Sequence, residues 1–400
     1  MKRRYDGFLA AVRREAGFIA GDFDLVTVLL VAPLFYALFY TSIYFFKTEH
    51  DVPIVVVDND RSELSRSLTT NLEAHQLLHV VGVMGDRAAA DEMLSKREIE
   101  AVVYVPQGFE KEIKSGHATD LRAFVNNSRF LVGNDVNKAL NEVVFTMGSG
   151  IRMKFLEMKG YGSKEAAEIT EPLSGDIRPL FNSSESYGDF LIPGILLIVL
   201  NQTLLIGLAE SVAKEREVNG LRRLHSTANK SVSAMIAGKG ALYFVIFGSY
   251  AMLFFSVHFS LFSIPLNGDR SALAALTVLL LVATICSGMF LASFFRKKII
   301  ALQFFVFTSY PVLLTSGYSW PLSAMPAWLR VAANLLPTTP YFQAAIRITQ
   351  MGAGWGEVLP EFLQLCSLAL TAFLLARYRL GSLINAHNHE SLSTGVQEAT

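Results

Sequence analysis

The sequence predicts an α-helical membrane protein with six spans, both termini on the inner face, and an α/β (α+β) domain inserted after the first span. Three observations carry that prediction. The 400 residues are 52% hydrophobic and 18% charged, too apolar for an ordinary soluble chain yet too charged to lie wholly in lipid. The apolar residues gather in six long runs. The basic residues of the short connecting segments fall almost entirely on one side of those runs.

A span needs about 20 apolar residues at 1.5 Å each. Leu25–Phe46 and Ser271–Phe295 carry no charge. Phe190–Ala209 ends at Glu210, and Gly240–Phe262 holds only His258 as a titratable group. A fifth run, residues 299–317, contains Pro311, which is expected to kink it. The sixth, Phe362–Ala376, is short and lengthens if Glu361 and Arg377 reach the interfaces. The first run follows a basic start, but it is too long for a signal-peptide core and no small-residue cleavage site follows.

Lys/Arg bias sets the orientation. Sixteen basic residues, among them Arg13, Arg14, Lys214, Arg222, Lys239, Lys298 and Arg379, fall in one set of segments; Arg270, Arg330 and Arg347 fall in the opposite short loops. The formal net charge is zero, but residues 47–187 hold 16 basic and 22 acidic residues, leaving that stretch at −6 and the rest at +6. The resulting division is an inner amphipathic segment 1–24, the first span 25–46, an outer domain 47–187, a membrane domain 188–380, and an inner tail 381–400. In the N-terminal segment, Phe8, Val12, Phe18 and Ile19 are expected to face lipid.

The outer domain alternates strand and helix patterns. Pro53–Asp58, Leu77–Val81, Ala101–Val105 and Leu121–Asn126 read as strands. Ser62–Leu72, Asp86–Ser95, Phe109–Lys114 and Val132–Lys159 read as helices. His75 and His79 are spaced as two metal ligands on a helix would be, but no third ligand accompanies them. Asp58-Asn59-Asp60 lacks the glycine and distal glutamate of a calcium loop and reads as a strand-end turn. The chain has no phosphate-cradling loop, no nucleophile elbow and no zinc-protease motif. No catalytic residue, metal site or nucleic-acid surface is therefore expected. Two cysteines make no disulfide framework. The spans lack a chain of acids for a proton relay; Asn201, Gln202 and His258 are their main polar groups. Asn201 and Gln202 either hold helices together or line a pathway.

After the second span, Glu210–Thr227 is dense in both charge signs, with Val218, Leu221 and Leu224 on one helical face. Such a helix would lie along the inner surface or dock on a cytosolic partner. The run resembles the coupling-helix signature of ABC-2 type export permeases, E-R-E-x-G-T-L-E-x-L-x-x-T-P. Glu215, Glu217, Leu221, Leu224 and Thr227 match; Asn219-Gly220 stands where that family has Gly-Thr, and Ala228 replaces the proline. A second block is similar to the S-G-Y-x-W-P…M-P-x-W-L…P-x-T-P…R…Q-M-G-A pattern of the subgroup with a large periplasmic domain. It comprises Gly317, Trp320, Pro321, Met325, Pro326, Pro337 and Arg347, then Gln350-Met351-Gly352-Ala353. Strands reading V-P-I-V-V-V-D-N-D and A-V-V-Y-V-P extend the resemblance over most of residues 20–380.

The resemblance implies a permease subunit of an exporter in a bacterial inner membrane. It implies a cytosolic ABC ATPase that uses ATP and Mg, so that no cofactor binds this chain directly. It also implies a second permease, identical or a sister, lipid contacts, an outer re-entrant segment, and a periplasmic adaptor. The cargo is expected to be amphipathic or lipophilic. A membrane receptor or assembly protein with an outer domain, and a proton-driven carrier, are the readings from other classes.

Overall fold

The computed structural model describes residues 2–44, 49–171, 173, 178–182 and 185–397. The expected end of the first span at Phe46, the start of the inserted domain at Lys47, and residues 398–400 of the tail lie outside them. The chain divides into two units, one of residues 1–47 and 179–400, the other of residues 48–178.

The second unit is built on a four-stranded sheet in the order β2-β1-β3-β4. Strands β1 (Val52–Asp58), β2 (Leu78–Met84) and β3 (Ala101–Val105) are parallel, and β4 (Arg122–Val125) runs antiparallel to β3. Helices α4 (Glu63–Glu73), α5 (Arg87–Ser95), α6 (Phe109–Lys114), α7 (Phe130–Met158) and α8 (Ser163–Thr170) complete it. β1 and β3 are apolar at successive positions because both faces of the sheet are covered. Ile54 and Val56 pack with Leu68, Leu72 and Val136 on one face, and Val55 and Val57 pack with Ala90 and Ile99 on the other.

Polar turns close this unit. Asp58 Oδ1 accepts hydrogen bonds from the Asp60 and Arg61 amides, and its Oδ2 accepts from Ser65 Oγ at 2.7 Å. Asp60 in turn accepts from the Gly108 and Glu110 amides at the start of α6. Burial opposes ionisation of Asp60, but hydrogen bonds from the Ser62 side chain and from the amides at the start of α6 outweigh it and hold its carboxyl below the usual value. His75 and His79 do not share a helix, since α4 ends at Glu73. His75 accepts from the Leu77 amide, and His79 pairs with Glu73.

The first unit is helical. Among the described residues, six helices are long and apolar enough to cross a membrane: Phe23–Ile43, Tyr187–Glu217, Val232–Leu261, Arg270–Ala292, Lys298–Thr315 and Trp355–Asn385. In order along the chain the elements are α1 (Lys2–Ala20), α2 (Phe23–Val26), a π turn (Thr27–Val31) and α3 (Ala32–Ile43). Then come α9 (Tyr187–Glu217), α10 (Leu221–Thr227), α11 (Val232–Leu253), a second π turn (Phe254–His258) and α12 (Phe259–Leu261). The rest are α13 (Arg270–Ala292), α14 (Lys298–Thr315), α15 (Ala327–Asn334), α16 (Thr338–Thr349) and α17 (Trp355–Gln397). The core joins Leu196, Leu204 and Leu208 of α9 to Phe247 of α11 and Met289 of α13. Within α1, Ile19 is buried rather than lipid-facing, because the helix packs against the bundle through Ala11 and Gly238.

Replacing Asp58 by alanine strips acceptors from three donors and should weaken the sheet unit by about 2–4 kcal/mol. Tryptic cleavage of the intact protein at Arg61 and Arg66 should accelerate correspondingly, with the helical unit unaffected.

Candidate functional site

The sequence pattern reads residues 210–227 as one charged helix, lying along the inner surface or docking on a cytosolic partner. The structure divides it. α9 continues unbroken to Glu217, and Glu210, Ser211 and Glu215 are buried in it. The chain then turns at Asn219, whose φ of 53° lies in the left-handed region. Asparagine tolerates that conformation better than most side chains, which explains why it can stand where the export-permease signature has glycine. The next position needs a glycine here, since a Cβ on Gly220 would collide with the Glu215 carboxylate.

The last two turns of α9 form a hub of paired charges. Arg14 of α1 meets Glu215 with two parallel bonds, Nη1 to Oε1 at 2.6 Å and Nη2 to Oε2 at 3.0 Å. Glu15, the next residue of α1, is fully buried. It accepts from Lys239 of α11 at 2.6 Å, Ser211 at 2.7 Å and Tyr243 at 3.0 Å. Arg216 donates to the Ser293 and Phe295 carbonyls at the end of α13. Glu217 accepts from the Lys298 amide at 3.1 Å at the first turn of α14.

Lys214 and Lys298 gather a cluster of acids. Lys214 donates to Asp22 at 2.5 Å. The Lys298 ammonium lies 3.2 Å from Asp22, 3.0 Å from Asp24 and 2.5 Å from Glu210. Among the described residues, Asp22, Asp24 and Glu210 are the group close enough together to hold a metal ion. The lysine ammonium already sits among them and supplies the positive charge. Burial opposes ionisation of Asp22, but hydrogen bonds from Lys214 and Lys298 outweigh it and hold its pKa down at about 2.

α10 rests on this hub. Leu224 and Ala228 are buried, Leu221 is partly buried, and Thr227 donates to the Arg223 carbonyl of its own helix. Arg223 and Ser226 face outward, and Val218 before them is 62% exposed. Beside α10 lies a cleft of about 400 Å³ lined by Arg216, Arg222, Arg296, Lys297, Glu217 and Leu383. Of the five signature residues, Glu215 and Glu217 therefore anchor α9, Leu221 and Leu224 seat α10, and Thr227 closes it.

At the other end of the unit, the second signature block forms α15, α16 and the turn that precedes them. Gly317 has a φ of 78° and its carbonyl accepts from Gln343 Nε2 at 3.0 Å. Pro326 and Pro337 stand at the starts of α15 and α16, Met325 is buried, and Trp320 follows the turn at 57% exposure before Pro321. Arg347 donates to the Glu357 carbonyl at 2.7 Å and pairs with Glu361. Two further residues of the block act on α9. Pro193 lacks an N–H and leaves the Asp189 carbonyl without its helical donor. Gln350 Nε2 donates to that carbonyl at 3.3 Å, and Tyr318 OH donates to the neighbouring Phe190 carbonyl.

The two polar residues of the second span differ. Asn201 Oδ1 accepts from Thr284 of α13 at 2.7 Å and so joins two helices. Gln202 is 6% exposed, and neither its Nε2 nor its Oε1 has a hydrogen-bond partner among the described residues. Sequence reasoning missed Glu15, Lys239, Asp22 and Lys298. The available signal was Lys239, a lone cation between apolar stretches that demands a buried partner.

The family model described as an ABC-2 family transporter protein matches residues 24–378. The inner membrane transport permease YhhJ of Escherichia coli (strain K12) is 23% identical over 338 residues, covering 83% of this chain and 86% of that protein. The linearmycin resistance permease protein LnrN of Bacillus subtilis (strain 168) is 22% identical over 324 residues, covering 77% and 82%. The probable multidrug ABC transporter permease YbhS of Escherichia coli (strain K12) is 24% identical over 188 residues, covering 46% and 49%.

Lys239→Met should destabilise the unit by about 3–5 kcal/mol, because it strands Glu15 as an unpaired buried charge. The double variant Glu15→Gln, Lys239→Met should recover much of that loss in thermal unfolding of the purified protein. Asp22 predicts an acid limb. Its folded pKa lies below the ordinary 3.8, so its contribution is complete above about pH 4 and is lost as pH falls towards about 2. Asp22→Asn should flatten the stability profile in that window.

Proposed function

The chain belongs to the ABC-2 family of transporter proteins, and from that premise we propose that it is the membrane-spanning subunit of an ATP-driven exporter. It is a permease and a multi-pass inner membrane protein. The proposal adds a cytosolic ABC ATPase as the engine, a second permease to complete the pathway, and a periplasmic adaptor for the inserted domain. ATP and Mg belong to the ATPase. The positive-inside bias supports a cytosolic hub and a periplasmic sheet unit.

The observation that carries the reading is the seating of α10. It offers Arg223 and Ser226 outward, with exposed Val218 just before it, while its inner face, through buried Leu224, is held among α1, α11 and α17. α9 is one continuous helix of 31 residues, about 46 Å long at 1.5 Å per residue. ATP-driven closure of two ATPase subunits would displace α10, and α9 would carry that displacement across the membrane. The basic cleft beside α10 suits an acidic segment of the ATPase. Gln202, buried and unsatisfied on the same helix, is the residue best suited to meet a polar group of the cargo. The names of LnrN and YbhS support a lipophilic or drug-like cargo, as does the scarcity of charge in the spans.

Val218→Asp with Arg223→Glu changes exposed side chains and should leave the fold intact. Co-purification with the co-expressed ATPase should fall at least about tenfold, the weight of one interface hot spot. Undiminished ATPase binding by the folded double variant would overturn the assignment of α10.

A further inference from the structure

A groove of about 770 Å³ runs along the membrane unit between α11–α12 on one side and α13 on the other. Phe259, Leu273 and Leu281 line it and are buried, while Met252 and Val278 stand 74% and 46% exposed along it. Its α13 wall extends from Arg270 to Leu281. That is about 16 Å of helix at 1.5 Å per residue, close to half of a bilayer core about 30 Å thick. The groove thus has the length of one leaflet.

Its walls are largely apolar, with Ser256, Ser260 and Thr277 among them, and its one charged lining residue stands at one end. Arg270 lines that end, is exposed, and has no ion-pair or hydrogen-bond partner for its side chain among the described residues. The adjacent Asp269 does not neutralise it by contact, since its carboxylate accepts from the Ser271 and Ala272 amides at 2.7 and 3.2 Å and caps α13. The loop before Arg270 is fixed in place. Asn267 and Asp269 donate through their amides to the Thr349 and Ala353 carbonyls, and Trp355 Nε1 donates to Ser271 Oγ at 2.9 Å.

We propose that this groove binds an acyl chain of an anionic phospholipid from the surrounding membrane, with the lipid phosphate on Arg270. The guanidinium fork matches a phosphate, and the apolar walls accept a chain that ends near the bilayer midplane. A second copy of the protein packed here would cover Arg270 without a stated counter-charge; a lipid brings its own. The site lies apart from α10 and does not depend on the ATPase partner.

The test is lipid retention by the full chain purified in detergent, with phosphatidylglycerol and phosphatidylethanolamine quantified by native mass spectrometry. The wild-type protein should enrich phosphatidylglycerol over its share of the source membrane. Arg270→Glu should cut that enrichment about fivefold or more, the weight of one basic residue at an anionic lipid surface. Arg330→Glu, another exposed cation of the same unit, should leave it unchanged. Ala274→Phe, which fills the groove with Arg270 intact, should expel the lipid. Gly248→Leu does the same from the opposite wall, where a Cβ meets only Leu281 at 3.9 Å. Unchanged elution and melting profiles establish that the variants fold. Full phosphatidylglycerol enrichment in folded Arg270→Glu would overturn the proposal. So would full retention with the groove filled, a bound molecule that is not a phospholipid, or disulfide cross-linking of two copies through Met252→Cys.

Discussion

The membrane unit depends on one constraint: a charge drawn into an apolar bundle must be met there by an opposite charge. The last two turns of α9 carry Glu210, Lys214, Glu215 and Arg216, buried or half-buried, and the exposed Glu217; Lys214 meets Asp22, Glu215 meets α1, Arg216 meets the end of α13, and Glu210 and Glu217 both meet Lys298 of α14. Leaving a buried one of these groups alone would cost several kcal/mol, so the pairings dictate where the neighbouring elements can lie. Glu215 and Ser211 place α1 through Arg14 and Glu15, and Glu15 places α11 through Lys239. Glu210 and Glu217 place the first turn of α14, and Arg216 places the end of α13. The net stabilisation from these pairs is modest, because desolvation offsets most of the attraction. Their effect is positional: they exclude other arrangements of five helices that hydrophobic packing alone would tolerate.

The same reasoning explains the opposite end of α9, with the backbone in place of charged side chains. A proline in a membrane helix frees carbonyl groups that lipid cannot satisfy. Gln350 supplies the donor that Pro193 lacks, and Tyr318 OH adds a bond to the neighbouring Phe190 carbonyl. Close approach is enforced by Gly194, where any Cβ would collide with the Tyr318 ring. The S-G-Y and Q-M-G-A motifs thus belong to one clasp on the second span, although residues 319–349 separate them in sequence.

Much of this fold was legible because membranes and sheets impose simple periods. Six apolar runs give six helices, and the β-branched runs V-P-I-V-V-V and A-V-V-Y-V give β1 and β3. The hub was not legible, for a physical reason. Charge density in Glu210–Thr227 reads as solvent exposure when each residue is weighed alone, and partners within the hub lie up to 276 positions apart, as Asp22 and Lys298 do. Nothing local distinguishes Glu215, buried against Arg14, from Arg223, which faces outward. The family signature recorded that these residue types belong together without saying which of them anchor and which are displayed. Asn201 and Gln202 show the same limit: adjacent in sequence, they point to different faces of α9, and only Asn201 finds a partner.

The first and third spans add a further restriction on movement. Each contains a π turn, at Thr27–Val31 and Phe254–His258, and such turns release a carbonyl from the regular ladder. The Leu30 carbonyl accepts from Tyr250 OH at 2.8 Å. Thr41 donates its hydroxyl to the Ala37 carbonyl, and its oxygen lies 3.0 Å from His258 Nε2. The first span is therefore bonded to the third at two levels, while α1 is bonded to the third through Glu15 and Lys239. These three elements share hydrogen bonds that none can leave without stranding a buried polar group. On the proposed reading, a displacement of α10 by the ATPase would have to move them together.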